Sequence, residues 1–291
     1  MNGIIIIDKP AGWTSHDVIG KLRGILRERR IGHAGTLDPM ATGVLPVFVG
    51  RATRAVEFCE ADEKEYVAGL RPGIVTDTQD TTGTVLEERE HSVKAEDVLR
   101  VIPNFLGEQD QIPPMYSAIK VGGKKLYDLA RKGLEVERKP RRITIKELSL
   151  EGEENGDFIL RCTCSKGTYI RTLVSDMGDA LGCGATMSSL RRVRSGVFTL
   201  DDTVTLEDVQ AAAEKGEAEK LLRTTDSLFA SYPEIKVGAK QEKLCRNGNT
   251  FAINGLESGI YRVYSQNGAF LMLGEVKDGN LYTVKSFFEV D

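Results

Sequence analysis

The sequence predicts an α+β fold: a mixed, largely antiparallel sheet flanked by helices, followed by a small β-rich domain. Three observations predict it. Strand-like and helix-like patterns alternate irregularly up to about residue 230, without the regular strand-helix-strand rhythm of a parallel sheet. The stretches RRITIKELSLEG and DFILRCTCS both alternate apolar with polar residues, as a half-buried antiparallel pair does. Beyond Ser231 the texture changes to brief strands with turn signals at Asn267-Gly268 and Asp278-Gly279. The expected domains are 1–230 and 231–291, a division that 291 residues of ordinary apolar and charged content accommodate.

Gly3 to Asp8 reads as a short buried strand, and Ser15 is the expected N-cap of a helix running to about Arg30. A Gly- and Pro-rich loop follows, then a strand from Val44, a helix over RATRAVEFCEAD and a strand over KEYVAGLRPG. TDTQDTTG is an acidic, Thr-rich loop and AEDVLRVIPNFLG an amphipathic helix. IPPMYSAIKVGGKK is punctuated by Pro and Gly as a loop, with a short helix at KLYDLARKG. After the paired strands, TYIRTLVSDMGDAL repeats apolar residues at helical spacing and stops at Gly182. MSSLRRVRSGVFTL returns as a strand, TLEDVQAAAEKG as a helix, and QEKLCRNG as a short helix in the small domain.

The apolar run at the amino terminus is too short for a signal peptide or membrane span, and no later window is long enough. A cytoplasmic, membrane-free protein is expected. Five cysteines, Cys59, Cys162, Cys164, Cys183 and Cys245, show no paired CxxC spacing, so reduced thiols and no metal are the expectation. A net charge of −4 argues against a nucleic-acid partner, but the distribution reverses this. Residues 115–142 hold nine Lys or Arg against three acids, a local charge of +6. Further basic clusters occur at Lys21, Arg23, Arg27, Arg29 and Arg30, and at Arg191, Arg192 and Arg194. One charge run alone reads as a solvated face; three near candidate site segments point to a polyanion.

The best candidate for chemistry is Asp38 in GHAGTLDPMATGVLP, where three glycines and two prolines surround one acid. Such residues fix unusual backbone angles and admit close approach, although an Asp-Pro pair also serves as a plain turn or helix cap. Tyr66, Asp80 and Arg171 are the other candidates, each with a structural alternative: a strand aromatic, a turn acid and a surface cation. An ionised carboxylate in a partly buried site needs a cation, and arginine supplies a permanent one with bidentate geometry.

Seven segments, in order, resemble the bacterial tRNA pseudouridine synthase B family across essentially the whole chain: DKPAGWTS, GHAGTLDPMATGVLP, KEYVAGLRPG, TDTQDTTG, QIPPMYSAIKVGGKKLYDLAR, SKGTYIRTL and SSLRRVRSG. The resemblance implies a pseudouridine synthase catalytic domain with a PUA-like carboxy-terminal module. It implies isomerisation of uridine-55 in the TΨC loop of tRNA, with no cofactor and no metal. In that family's terms Asp38 is the essential acid, Tyr66 stacks on the uracil, and Arg171 bridges Asp38 and Asp80. His33 fills the place of the flipped base, while Tyr169 and Leu190 line its pocket. Lys9 and Pro10 buttress the loop. The basic segment about 115–142 matches an RNA-binding insertion, with Lys120, Lys124, Lys125, Arg131, Arg141 and Arg142 as its phosphate contacts. The acid attacks C1′, adds to the base, or stabilises charge while C2′ is deprotonated; these routes stay open at this point. The family implies a monomer without an obligate protein partner. The rival readings are an RNA-guided rRNA synthase, an idle tRNA-binding or folding protein, and a glycoside hydrolase, which lacks a second acid at hand.

Overall fold

The computed structural model describes residues 1–60 and 63–288 and arranges their strands chiefly in a sheet of nine and a sheet of five. Strand β1 (Gly3–Lys9) carries four consecutive isoleucines, and strand alternation divides them between two cores: Ile5 and Ile7 face one, Ile4 and Ile6 the other. Helix α1 (Ser15–Leu26) is capped by Thr14 rather than by Ser15 as expected. The Thr14 hydroxyl accepts from the Asp17 amide at 3.0 Å and the Asp17 carboxylate accepts from the Thr14 amide at 2.9 Å, a complete capping box. The helix ends at Leu26, with Arg27 in the left-handed region, four residues short of the expected end.

Strands β2 (Ile31–His33) and β3 (Thr42–Val49) flank the Asp38 loop, and helix α2 (Val56–Glu60) follows a 3-10 segment at Gly50–Ala55. The expected helix over RATRAVEFCEAD thus begins as 3-10, and its last two residues, Ala61 and Asp62, lie outside the described residues. Strand β4 (Lys64–Pro72) precedes a hairpin of β5 (Ile74–Thr76) and β6 (Val85–Glu88) that encloses the Thr-rich loop. Then come α3 (Ala95–Val101) and β7 (Gly107–Gln111). The basic segment folds as a two-residue hairpin, β8 (Lys120–Val121) and β9 (Lys124–Lys125), and α4 (Leu126–Ala130). Strands β10 (Arg141–Glu154) and β11 (Asp157–Cys164) form the expected antiparallel pair. Helix α5 (Ile170–Ala180), strands β12 (Ala185–Ser195) and β13 (Phe198–Thr199), and helix α6 (Leu206–Glu214) complete the larger unit.

The order in the large sheet is β1-β3-β12-β4-β11-β10-β7, with β2 also on β3 and β13 on β12. Only the β12–β3 pairing is parallel, so the sheet is mixed and largely antiparallel. Helices α1, α3, α5 and α6 pack their apolar faces on one side. The carboxy-terminal strands β14 (Glu234–Val237), β15 (Phe251–Ala252), β16 (Gly259–Ser265), β17 (Phe270–Lys277) and β18 (Asn280–Ser286), with α7 (Ala239–Arg246) between the first two, form the five-stranded sheet. Its hairpins turn at Asn267-Gly268 and Asp278-Gly279; both residues of the latter have positive φ, as a type I′ turn requires.

The change of texture near residue 231 is not a break in packing. Phe229 lies 5.2 Å from Phe58, 5.6 Å from Phe287 and 6.2 Å from Phe270, joining the second face of the large sheet to the small one. The Tyr264 hydroxyl donates to Asp226 across the same junction, and Lys285 pairs with Glu57. Aromatic burial of this kind holds the small sheet against the large one. Phe229→Ala is therefore expected to cost about 3–5 kcal/mol in urea unfolding and to open the chain to protease near residue 230. Unaltered unfolding and proteolysis would show that the two sheets do not share a core.

Candidate active site

The Asp38 loop is fastened from four directions. The Ser15 hydroxyl, free of the capping role expected of it, donates to the Leu37 carbonyl at 3.1 Å and accepts from the Leu37 amide at 2.9 Å. Lys9, fully buried, donates from Nζ to the carbonyls of Pro10 (2.9 Å), Trp13 (2.5 Å) and Pro39 (3.3 Å), tying the first motif to the loop. The Gly12 amide adds a bond to the Pro39 carbonyl at 2.8 Å. Arg192 on β12 donates from Nη2 to the Gly35 carbonyl at 2.8 Å and from Nε to the Val44 carbonyl at 2.7 Å. Glycine is needed where that arginine passes. Gly43, at φ +99°, would place a Cβ 2.2 Å from the Arg192 carbonyl, and Gly35, at φ +68°, would place one 3.0 Å from its Nη1.

Among the described residues, the Asp38 side chain neither caps a helix nor satisfies a turn. Its Oδ2 lies 3.0 Å from Nε of Arg171, and its side chain keeps 38 % of its surface open. Arg171, in the first turn of α5, is buried and spends its remaining donors on three more acceptors. Nη1 donates to the Thr78 carbonyl at 3.0 Å and reaches Asp80 Oδ2 at 3.5 Å, and Nη2 donates to the Tyr116 carbonyl at 2.8 Å. The threonines of TDTQDTTG orient Asp80: its Oδ1 accepts from the Thr78 hydroxyl (2.8 Å), the Thr82 amide (2.9 Å) and the Thr82 hydroxyl (2.5 Å). Burial pushes the Asp38 carboxyl above its ordinary value; Arg171 opposes the shift, Asp80 adds to it and Lys9 opposes it. Burial likewise pushes the Lys9 ammonium down to about 8, against the pull of Asp38.

The other expected residues lie around this triad. Tyr66, half-buried on β4, stands in register with Arg192 on β12 and Cys162 on β11. Burial pushes its phenol up while the Arg192 guanidinium works the other way. Leu190, two residues from Arg192 on β12, is buried in the core that also holds Leu37 and the Tyr66 ring. Tyr169 stands at the N-cap position of α5, where the Gln111 side-chain amide binds its backbone amide (2.8 Å) and carbonyl (3.0 Å). His33 ends β2, half-buried, with Nδ1 unpartnered among the described residues. Burial, reinforced by the Arg192 charge, pushes its imidazole down to about 4.

The basic clusters differ in what they leave available. In the insertion, Lys120, Lys124, Arg131 and Arg141 are exposed, and Lys125 and Arg131 lie 5.2 and 5.4 Å from the Tyr127 ring centre. Of its six expected phosphate contacts, only Arg142 is in ion pairs with acids among the described residues, Glu108 and Asp110. The later cluster is not the polyanion surface that its charge suggested. Arg191 pairs with Asp8, Arg194 with Glu65, and Arg192 is buried. Among the described residues no three His, Cys, Asp or Glu side chains gather as metal ligands, and no helix is long and apolar enough to cross a membrane. A cavity of about 540 Å³ lined by Arg71, Arg89, His91 and Asp157 opens toward the other end of β4 and takes no part in the triad.

Sequence reasoning missed Arg192, Ser15 and Gln111 as supports of the site. Arg192 was accessible to it: strand alternation places it on the face of the apolar Leu190 rather than on that of Arg191. The close approach that the loop glycines admit includes Arg192, whose guanidinium passes Gly35 and whose backbone passes Gly43.

Two family models match the chain: "TruB family pseudouridylate synthase (N terminal domain)" over residues 23–170, and "tRNA pseudouridylate synthase B C-terminal domain" over 171–228, which stops before the five-stranded sheet. A protein of Clostridium kluyveri named tRNA pseudouridine synthase B is 42% identical over 99% of this chain and 100% of its own length. One of the same name from Pseudomonas fluorescens is 43% identical over 97% of this chain and 94% of its own. Among solved structures, that of an H/ACA RNP bound to a substrate RNA containing 2′-deoxyuridine superposes with a TM-score of 0.74 at 26% identity, covering 99% of this chain and 86% of that one. A Cbf5-Nop10-Gar1 complex gives 0.74 at 27% identity, over 98% and 85%.

The upward shift at Asp38 carries a stability consequence. A carboxyl whose folded pKa is raised contributes stability in full below its unfolded pKa, near 3.9, and loses it as pH rises through the folded value. At neutral pH the ionised acid is a cost to folding. Asp38→Asn should therefore melt no lower than the wild type at pH 7, and a clear drop in melting temperature would show that the Arg171 pair outweighs the burial.

Proposed function

Because the chain belongs to the TruB family of pseudouridylate synthases, we propose that it isomerises uridine-55 in the TΨC loop of tRNA to pseudouridine, with Asp38 as the essential carboxylate. The observation that carries the residue assignment is the Asp38–Arg171 contact at 3.0 Å beside an otherwise open carboxylate. Arg171 occupies Oδ2, and among the described residues no donor reaches Oδ1, which is the oxygen left for the substrate. An ion pair with a guanidinium held by three other acceptors opposes the burial that favours the neutral acid, and aims the carboxylate before any RNA arrives.

The reaction breaks the N1–C1′ bond, turns the uracil and joins C5 to C1′; the hydrogen on C5 leaves to solvent and N1 gains a proton. One carboxylate suffices, since no water is added. The target must first leave the base stack, at a cost of a few kcal/mol. His33, neutral at physiological pH because burial and Arg192 hold its imidazole down near 4, is suited to take the vacated place without carrying a charge between bases. Tyr66 stacks on the uracil: burial keeps its phenol protonated in the free protein, the form that stacks and donates a hydrogen bond. Tyr169 and Leu190 complete the pocket, and Lys9 acts behind the loop rather than on the substrate.

The insertion about 115–142 is the proposed clamp on the TΨC arm, its exposed cations meeting phosphates and its root anchored where Tyr116 accepts from Arg171. An insertion of its own and relatives named for tRNA favour a stand-alone monomer in the cytoplasm over an RNA-guided subunit. Residues 1–230 are then the catalytic domain and 231–291 a PUA-like module, whose last residues, 289–291, lie outside the described ones.

Tritium release from an unmodified tRNA transcript carrying 5-tritiated uridine tests the activity. Asp38→Asn should bind the transcript and release none. In the wild type the acid limb of the pH profile should lie above the ordinary carboxylate value of about 3.9, because the elevated Asp38 must be ionised to act. Ordinary turnover by Asp38→Asn would remove the carboxylate from the mechanism. For the clamp, charge reversal at Lys124, Lys125 and Arg131 together should weaken tRNA binding and flatten its dependence on salt by about two to three units of slope. An unchanged affinity and slope would move the RNA elsewhere.

A further inference from the structure

We propose that Arg192 is a positioning residue for the isomerisation: one buried guanidinium fastens both ends of the Asp38 loop and lies against Tyr66, so that acid and tyrosine are set by a single side chain. The inference rests on Asp38 being the reacting carboxylate. Arg192 is 1 % exposed, and no carboxylate pairs with it among the described residues. A buried cation without an ion pair is costly unless hydrogen bonds compensate, so it persists where it organises something. Its guanidinium donates to the carbonyls of Gly35 and Val44, three residues before and six residues after Asp38. A planar fork bonded at both positions fixes the span between them, and hence the loop that presents the acid.

The strand register makes the arrangement specific. Arg192 is the Cα partner of Gly43 on β3 and of Tyr66 on β4, so the end of the loop, the arginine and the tyrosine stand abreast on three adjacent strands. The loop is shaped around this residue: a Cβ at Gly35 would press on the guanidinium, and one at Gly43 would meet the Arg192 backbone. The same charge acts on Lys9, His33 and Tyr66, the titratable groups that face it from β1, β2 and β4. It disfavours a second cation at His33 and favours the ionised form of Tyr66. Arg192 thus does two separable things: its fork holds the loop, and its charge sets the protonation of its neighbours.

The test uses the full chain with Arg192→Lys, which keeps the charge and loses the fork, and Arg192→Gln, which loses both. Tritium release under single-turnover conditions, tRNA affinity and the NMR titration of His33 are read in parallel; only His16, His33 and His91 must be assigned. Both variants should bind tRNA as the wild type does and turn over about 10²-fold more slowly, the loss expected of a reacting group displaced by about 1 Å. His33 should stay low in Arg192→Lys and move up in Arg192→Gln, while burial, the larger cause, still holds it below the ordinary value of about 6.5. A wild-type single-turnover rate in either folded variant overturns the proposal, as does a loss accounted for by weakened tRNA binding. If Arg192→Gln fails to fold, the rate and affinity of Arg192→Lys decide. Asp38→Asn, run alongside, separates the two readings: turnover surviving there removes the carboxylate, whatever Arg192 does.

Discussion

The contact between Asp38 and Arg171 is the constraint from which the rest of the site follows. A carboxylate in a partly buried loop drifts toward its neutral form, and only a fixed cation counters that drift. Arg171 is fixed because every nitrogen of its guanidinium has a partner: Asp38 on Nε, Thr78 and Asp80 on Nη1, Tyr116 on Nη2. A lysine offers one ammonium on a flexible stem and cannot address four acceptors in one plane. Three segments far apart in sequence, around residues 38, 78–80 and 116, therefore meet at the first turn of one helix. The threonine side chains around Asp80 serve the same end, since an acid pinned through Oδ1 holds the arginine that holds the other acid.

Behind this front layer the central strand β12 carries the support. It lies between β3, which ends the Asp38 loop, and β4, which bears Tyr66, so any residue at its crossing point touches both. The four isoleucines of β1 show why the platform is rigid: the strand is buried on both faces, and neither can shift without disturbing a core. Lys9, at the end of that strand, carries the rigidity into the loop through the Pro39 carbonyl. The small sheet contributes through Phe229 and its aromatic neighbours, which close the second core.

Much of this was legible in the sequence. The long strands, helices α1, α5 and α6, and the carboxy-terminal hairpins follow from periodicity and turn residues, and Asp38 stood out by its company. Strand β7, GEQDQ, was invisible because it is a polar edge strand that buries only Gln111. Ser15 was the expected cap, but Leu37, whose backbone claims the Ser15 hydroxyl from across the loop, leaves the capping to Thr14. The bridge from Arg171 to Asp38 and Asp80 was reached through resemblance, since nothing local in SKGTYIRTL reveals which acids lie opposite. The Arg191–Arg194 cluster misled for a related reason. Its partners, Asp8 and Glu65, sit on other strands, so its pairing is a property of topology and not of local charge.

That last point bears on how an acidic protein meets a polyanion. A formal charge of −4 and three basic clusters give no answer until each cation is matched with its neighbours. In the later cluster the positive charge is consumed within the fold, by Asp8, by Glu65 and by backbone carbonyls. In the insertion the cations stand on a small hairpin and helix; among the described residues Arg138 pairs with Glu135 within it, and the sheet that carries its root supplies acids only to Arg142. Charge left unpaired is charge that a phosphate backbone can neutralise with release of counterions, whereas a paired arginine must first give up its carboxylate. The Tyr116 carbonyl is the anchor that the insertion shares with Arg171 and, through it, with Asp38.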